Sequence, residues 1–337
     1  MTAVPTESPA DGRDGGGQQR GRWGRGGRGG ERFMVPKAEF KSYYGRPIIK
    51  EPVWEVPDVP GYLFFGGLAG ASSVLAAGAQ LTGRHRLARV SKLAALGGIG
   101  LSTVFLIHDL GRPARFHHML RVFKVSSPMS VGSWILSAYG PMAGAAAVSD
   151  LTGILPPAGA AATTAAAALG PAVATYTAVL LCDTAVPAWH AAHGEMPYVF
   201  AGSAASAAGG FGLLAAPGGE QGPARRLAVA GSVVELVARQ LLERRLGDVA
   251  EPYHQGKSGR LLKVAGLLTA AGAAGAALTR RSRIGSALSG LTLLAASAVT
   301  RYGIFEAGMA SARDPKYTVV PQRERRKAQV QAAQAAR

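Results

Sequence analysis

The chain has 337 residues, of which only 17% are charged, yet 37 Lys and Arg against 20 Asp and Glu leave a formal net charge of +17. Average soluble proteins carry about 25% charge, so the cations must be segregated: ten Lys and Arg lie in the first fifty residues and seven in the last twenty-five. The single cysteine, Cys182, excludes an intrachain disulfide, a thiolate zinc site and a self-contained iron–sulfur cluster, which takes about four thiolates.

In chain order, residues 1–34 come first, a Gly- and Arg-rich stretch reading GGGQQRGRWGRGGRGG at its centre. It holds too little apolar surface to fold, so a disordered basic tail is expected. No apolar run follows its arginines closely enough for a secretory signal. Its charge suits anionic lipid or a protein partner better than nucleic acid, which is not expected as a partner.

The middle of the chain is apolar. Crossing a bilayer takes about 20 predominantly apolar residues, because in lipid a helix alone satisfies its own backbone. Eight stretches have that character: Gly61–Leu81, Leu93–Asp109, Ser130–Ser149, Ala165–Val186, Pro197–Ala216, Ala224–Leu242, Leu261–Thr279 and Gly285–Gly303. The expected fold class is all-α, a polytopic membrane protein built as an eight-transmembrane-helix bundle. Gly66 and Gly70 make a GxxxG pair suited to close helix approach. An even number of spans puts both tails on one side. That side collects 27 Lys and Arg against nine opposite, although the short loops alone divide nine to nine. Basic tails therefore point to a multi-pass protein of the cell membrane with both tails in the cytoplasm.

Ionisable groups at membrane depth are costly and mark candidate sites. The densest cluster closes the second span, where His108 and Asp109 precede a Gly-Arg-Pro turn that carries Arg112. A His–Asp pair there can relay a proton; an interfacial cap with Asp109 on Arg112 uses the same residues. Asp58 and Tyr62 sit at the start of span one and Tyr176 lies within span four. Glu235 and Arg239, four apart in span six, share a helix face and are expected to pair inside the bundle. The seven histidines all fall in loops or at helix ends, which argues against a di-haem cytochrome. No metal site is expected.

Four segments together resemble the NrfD/PsrC family, the integral membrane subunits of polysulfide reductase, nitrite reductase and related complex iron–sulfur molybdoenzymes, including some formate dehydrogenases. They are SYYGRPIIKEPVWEVPDVPGYLFFGGLAG (42–70), HDLGRPARF (108–116), SPMSVGSW (127–134) and DPKYTVVPQRER (314–325). The resemblance spans residues 35–321. It implies an eight-helix subunit without haem or cluster that holds a quinone, menaquinone being expected. A ferredoxin-like four-cluster Fe–S subunit would dock on one face and a molybdenum or tungsten catalytic subunit beyond it. It divides the chain into the tail 1–34, a partner-docking segment 35–60, the membrane domain 61–310 and a basic carboxyl tail 311–337.

The family's quinone contacts are an Asn and a His near the start of span one and a Tyr in span four. Here Tyr176 matches the last, Tyr62 stands about where the His belongs, and Val59, beside Asp58, where the Asn belongs. The resemblance thus implies His108, Asp109 and Tyr176 as reacting residues, with Asp58, Tyr62, His108, Arg112 and Tyr176 around the quinone. Glu235 and Arg239 are candidates for a proton path. Two other classes stay open on the residues alone: a transporter or ion conductor built around Glu235 and Arg239, and a membrane anchor without quinone chemistry.

Overall fold

The computed structural model describes residues 48–110 and 112–335. The expected disordered tail 1–34, and residues 35–47 of the expected docking segment, lie outside them. Among the described residues all regular structure is helical. Eight of the nine helices of 20 residues or more make up an up-and-down bundle: α1 (Asp58–Leu81), α2 (His85–Asp109), α3 (Pro128–Thr152), α4 (Pro156–Cys182), α6 (Met196–Ala215), α7 (Gly222–Leu246), α9 (Gly256–Leu278) and α10 (Arg283–Arg313). Two short helices, α5 (Pro187–Ala191) and α8 (Glu251–His254), and the charged α11 (Lys316–Ala335) complete the set. Each of the eight expected spans coincides with a long helix.

Six of the eight are long and apolar enough to cross a membrane: α1, α2, α4, α6, α9 and α10. The other two fall below that hydropathy for different reasons. Ser, Gly, Pro, Tyr and Trp dilute α3, whereas α7 carries Arg225, Arg226, Glu235, Arg239 and Glu243 along its length.

Several boundaries differ from the sequence expectation, α10 running ten residues past Gly303 among them. Helix α2 starts at His85, eight residues before Leu93, and takes Arg89 and Lys92 into its first turns. Both reach Asp150 at the end of α3, at 2.7 and 3.1 Å, so these cations belong to a helix–helix contact rather than to a loop. Helix α4 starts at Pro156, nine residues before Ala165, because proline at the first helical position gives up no hydrogen bond there.

The first helix is the hub, packing against α2, α4 and α6, while α10 bridges α6 and α9. At the crossing of α1 and α4, Gly70 and Gly170 meet backbone to backbone, and a Cβ on either would overlap the other's carbonyl oxygen. In lipid such approach supplies dispersion contact that larger residues would block. The partner that matters for Gly70 is thus on another helix; Gly66 faces the Ser102 hydroxyl of α2 instead.

Candidate functional site

One end of the bundle gathers the start of α1, the end of α2, the start of α3 and the end of α4. A 3-10 segment at 113–120 and the irregular residues 48–57 cover it. This strap is held at three points. Trp54 stacks on Trp189 of α5 at 5.6 Å between ring centres. The Glu55 amide donates to Asp109 Oδ1 at 3.2 Å. Glu51 pairs with Arg313 at the end of α10. Trp189 is itself fixed, fully buried, with its indole N–H on the Ile304 carbonyl at 2.8 Å.

Beneath the strap lies a narrow, mostly apolar slot of about 60 Å³. Its walls include Trp54, Tyr62, Leu106, Met119, Met129 and Tyr176, with Asp109 at the rim. Tyr62 and Tyr176 meet edge to face, 6.3 Å apart. The hydroxyl of Tyr176 is buried and has no hydrogen-bond partner. A phenol of a slot-lining residue that is not engaged within the chain can donate to an acceptor from outside it. Gly132 of α3 makes room for the Tyr176 ring: a Cβ there would run into it.

The titratable candidates arrange themselves differently from the sequence expectation. His108 Nδ1 lies 2.8 Å from Asp58 Oδ2, so the imidazole pairs across helices with the first residue of α1 rather than with its neighbour Asp109. Adjacent residues on a helix point about 100° apart, whereas the start of α1 and the end of α2 face each other. The Asp58 side chain is 8% exposed and that of His108 75%, so the pair runs from the protein interior to its surface. Asp109 accepts the strap amide, and exposed Arg112 makes an ion pair with neither carboxylate.

Glu235 and Arg239 do not pair. Arg239 reaches the other way along α7, to Glu243 at 2.9 Å. Glu235, buried, accepts a 2.7 Å hydrogen bond from Thr300 of α10. Arg301 is fully buried, lies 3.7 Å over the Phe200 ring and donates to the Phe200 carbonyl at 2.8 Å. Its Nε and Nη1, like Glu235 Oε2, have no partner. Arg301 went unnoticed in the sequence because it falls two residues before the end of the eighth span, where it counts as a tail-side charge. Trp54 lies inside a quoted motif, and Gly132 carries no signal until Tyr176 is placed beside it. Among the described residues no group of three or more His, Cys, Asp or Glu is disposed to hold a metal.

An all-helical bundle with six helices long and apolar enough to cross a membrane is the architecture of a multi-pass membrane protein, and an apolar slot lies at one of its ends. The chain belongs to the polysulphide reductase NrfD family, whose model matches residues 48–217. The match covers the strap, helices α1 to α6 and every residue around the slot; Glu235, Arg239 and Arg301 lie beyond it. That family provides membrane subunits of redox enzyme complexes, and this chain is of that class. No curated protein matches the chain.

Proposed function

We propose that this protein is the membrane-anchoring, quinone-reactive subunit of a multi-subunit oxidoreductase of formate dehydrogenase or polysulfide reductase type. It exchanges electrons between the quinone pool and a docked ferredoxin-like Fe–S subunit, which connects to a molybdenum or tungsten catalytic subunit. In this reading all eight long helices cross the membrane, with α7 hiding Glu235 against α10. The observation that carries the proposal is the orphan Tyr176 hydroxyl, buried beside Tyr62 in an apolar slot.

The residues fit the group. An apolar slot suits a quinone ring and isoprenoid tail, and a phenol O–H suits one of its carbonyl oxygens. The slot is narrower than a ring, so entry requires Met119 and Met129 to swing aside, which their unbranched, rotatable side chains permit. A bound quinone, menaquinone in the first instance, supplies two-electron, two-proton chemistry. This chain's side chains do the rest. Tyr176 orients the ring by its hydroxyl, and Tyr62 packs against the Tyr176 edge. Asp58, as a carboxylate, holds the His108 proton on Nδ1, which leaves Nε2 on the exposed side to trade protons with water. Asp109 keeps the strap in place as a lid. With a single, buried cysteine the chain has no thiolates for a cluster, so electrons must come through a partner.

Tyr176→Phe keeps the ring and loses the hydroxyl. Quinone-linked turnover of the assembled complex is expected to fall about tenfold, the factor of one net hydrogen bond, and a menaquinone analogue should bind correspondingly more weakly. Unchanged binding and turnover in a complex that still assembles would overturn the slot assignment. His108→Ala and Asp109→Asn are expected to slow the same turnover through the rim. Any proton path through the bundle would use Glu235 with Arg301 as its counter-charge, and Arg239 only at one remove.

A further inference from the structure

The opposite end of the bundle, where α6 meets α7 and α9 meets α10, is rich in arginine. Two of these cations spend their donors on helix ends. Arg283 donates to the carbonyls of Leu213, Leu214 and Ala216, which close α6. Arg225 donates to the Ala276 carbonyl near the end of α9 and to Ser286 Oγ at 2.9 Å.

Two others are different. Arg226 and Arg280 are exposed and, among the described residues, have no hydrogen-bond or ion-pair partner. With Arg225 they line one groove of about 670 Å³ between the start of α7 and the end of α9. No acidic residue lines it, and Arg225 and Arg280 repel each other. Two exposed guanidinium groups, Arg226 and Arg280, beside the engaged Arg225 on a groove without a carboxylate attract an anion, and the groove is wide enough for a phosphate.

Its floor is apolar, formed by Val229, Ala230 and Ala277. From there exposed apolar side chains continue along the outside of α7 through Val233, Val237 and Leu241, at 54%, 50% and 52% exposure. Leu278 and Leu267 continue the face on α9. A polar anion alone needs no such face, whereas a lipid does: its headgroup sits where helices leave the hydrocarbon and its chains run down their sides.

We propose that this groove is a specific site for an anionic phospholipid, its phosphate among Arg225, Arg226 and Arg280 and its acyl chains along α7 and α9. The site lies at the other end of the bundle from the quinone slot and stands or falls independently of it.

Native mass spectrometry of the full-length protein tests this with dioleoyl phosphatidylglycerol and dioleoyl phosphatidylcholine as probes. One phosphatidylglycerol is expected to bind preferentially. Each cation beside an anionic headgroup contributes roughly a fivefold factor, so Arg226→Gln with Arg280→Gln should weaken binding by about twentyfold or more. Arg226→Lys with Arg280→Lys should retain most of it. Arg260→Gln with Lys263→Gln, which removes two exposed charges from the other end of α9, should retain all of it. Equal binding to the wild type and the Arg226→Gln, Arg280→Gln variant would overturn the proposal. So would equal binding of the two lipids, or competition by millimolar inorganic phosphate without any lipid preference, which would mark a site for a free anion.

Discussion

Tyr176 and Gly132 are a matched pair, a ring on α4 and the absence of a side chain on α3. Gly132→Ala forces the ring to shift, and overpacking of this kind costs about 1–3 kcal/mol. Thermal unfolding in detergent should show the loss, and quinone-linked turnover should fall with it. A second residue-scale prediction concerns the buried charges. Arg301 is fully buried over the Phe200 ring and on the Phe200 carbonyl, so Arg301→Met should destabilise more than Arg239→Gln, whose partly exposed pair with Glu243 contributes about 1 kcal/mol or less. A double-mutant cycle should give strong coupling between Glu235 and Arg301 and weak coupling between Glu235 and Arg239; the reverse would restore the pairing expected from spacing. The chemistry-bearing residue types were legible in the sequence at this scale, but their partners were not. Spacing along one helix ties Glu235 to Arg239 and His108 to Asp109. The actual partners, Thr300 for Glu235 and Asp58 for His108, come from other helices, and no local pattern announces them.

At the scale of elements, six helices were legible because an apolar run of membrane length leaves few alternatives; α3 and α7 form as helices too, but fall short of that hydropathy. Their ends were less so. Hydropathy discards a charged first turn, yet α2 begins with one, since Asp150 on α3 neutralises Arg89 and Lys92. The carboxyl segment, expected only as a basic tail, forms α11 and is clasped to α8 by Glu251 and Lys316. The Lys316 ammonium holds the Glu251 carboxyl below the usual carboxylate range. A depressed acid stabilises its contact above its ordinary pKa and loses that contribution as pH falls through the lowered value. Hydrogen exchange over residues 316–327, corrected for intrinsic rate, should therefore accelerate on acidification below about pH 4. Glu251→Gln should show the faster exchange already at neutral pH. Insensitivity of the segment to both changes would show that the clasp does not hold α11.

For the whole molecule, the segregation of charge seen in the sequence becomes a division of labour between the two ends of the bundle. One end carries the strap, the slot and α11; the other carries arginines engaged with helix carbonyls or facing an open groove. The family match stops at residue 217, close to the end of α6, so the site falls in the matched half and the buried Glu235 and Arg301 in the remainder. The burial of Cys182 has a practical side. The native chain is already a template with one shielded thiol, so a cysteine introduced at exposed Gly219 or at exposed Gln322 would be the sole target for a membrane-impermeant maleimide. Labelling of intact cells at the first position and not the second would fix which end of the bundle looks outward, with no prior removal of native sulfhydryls.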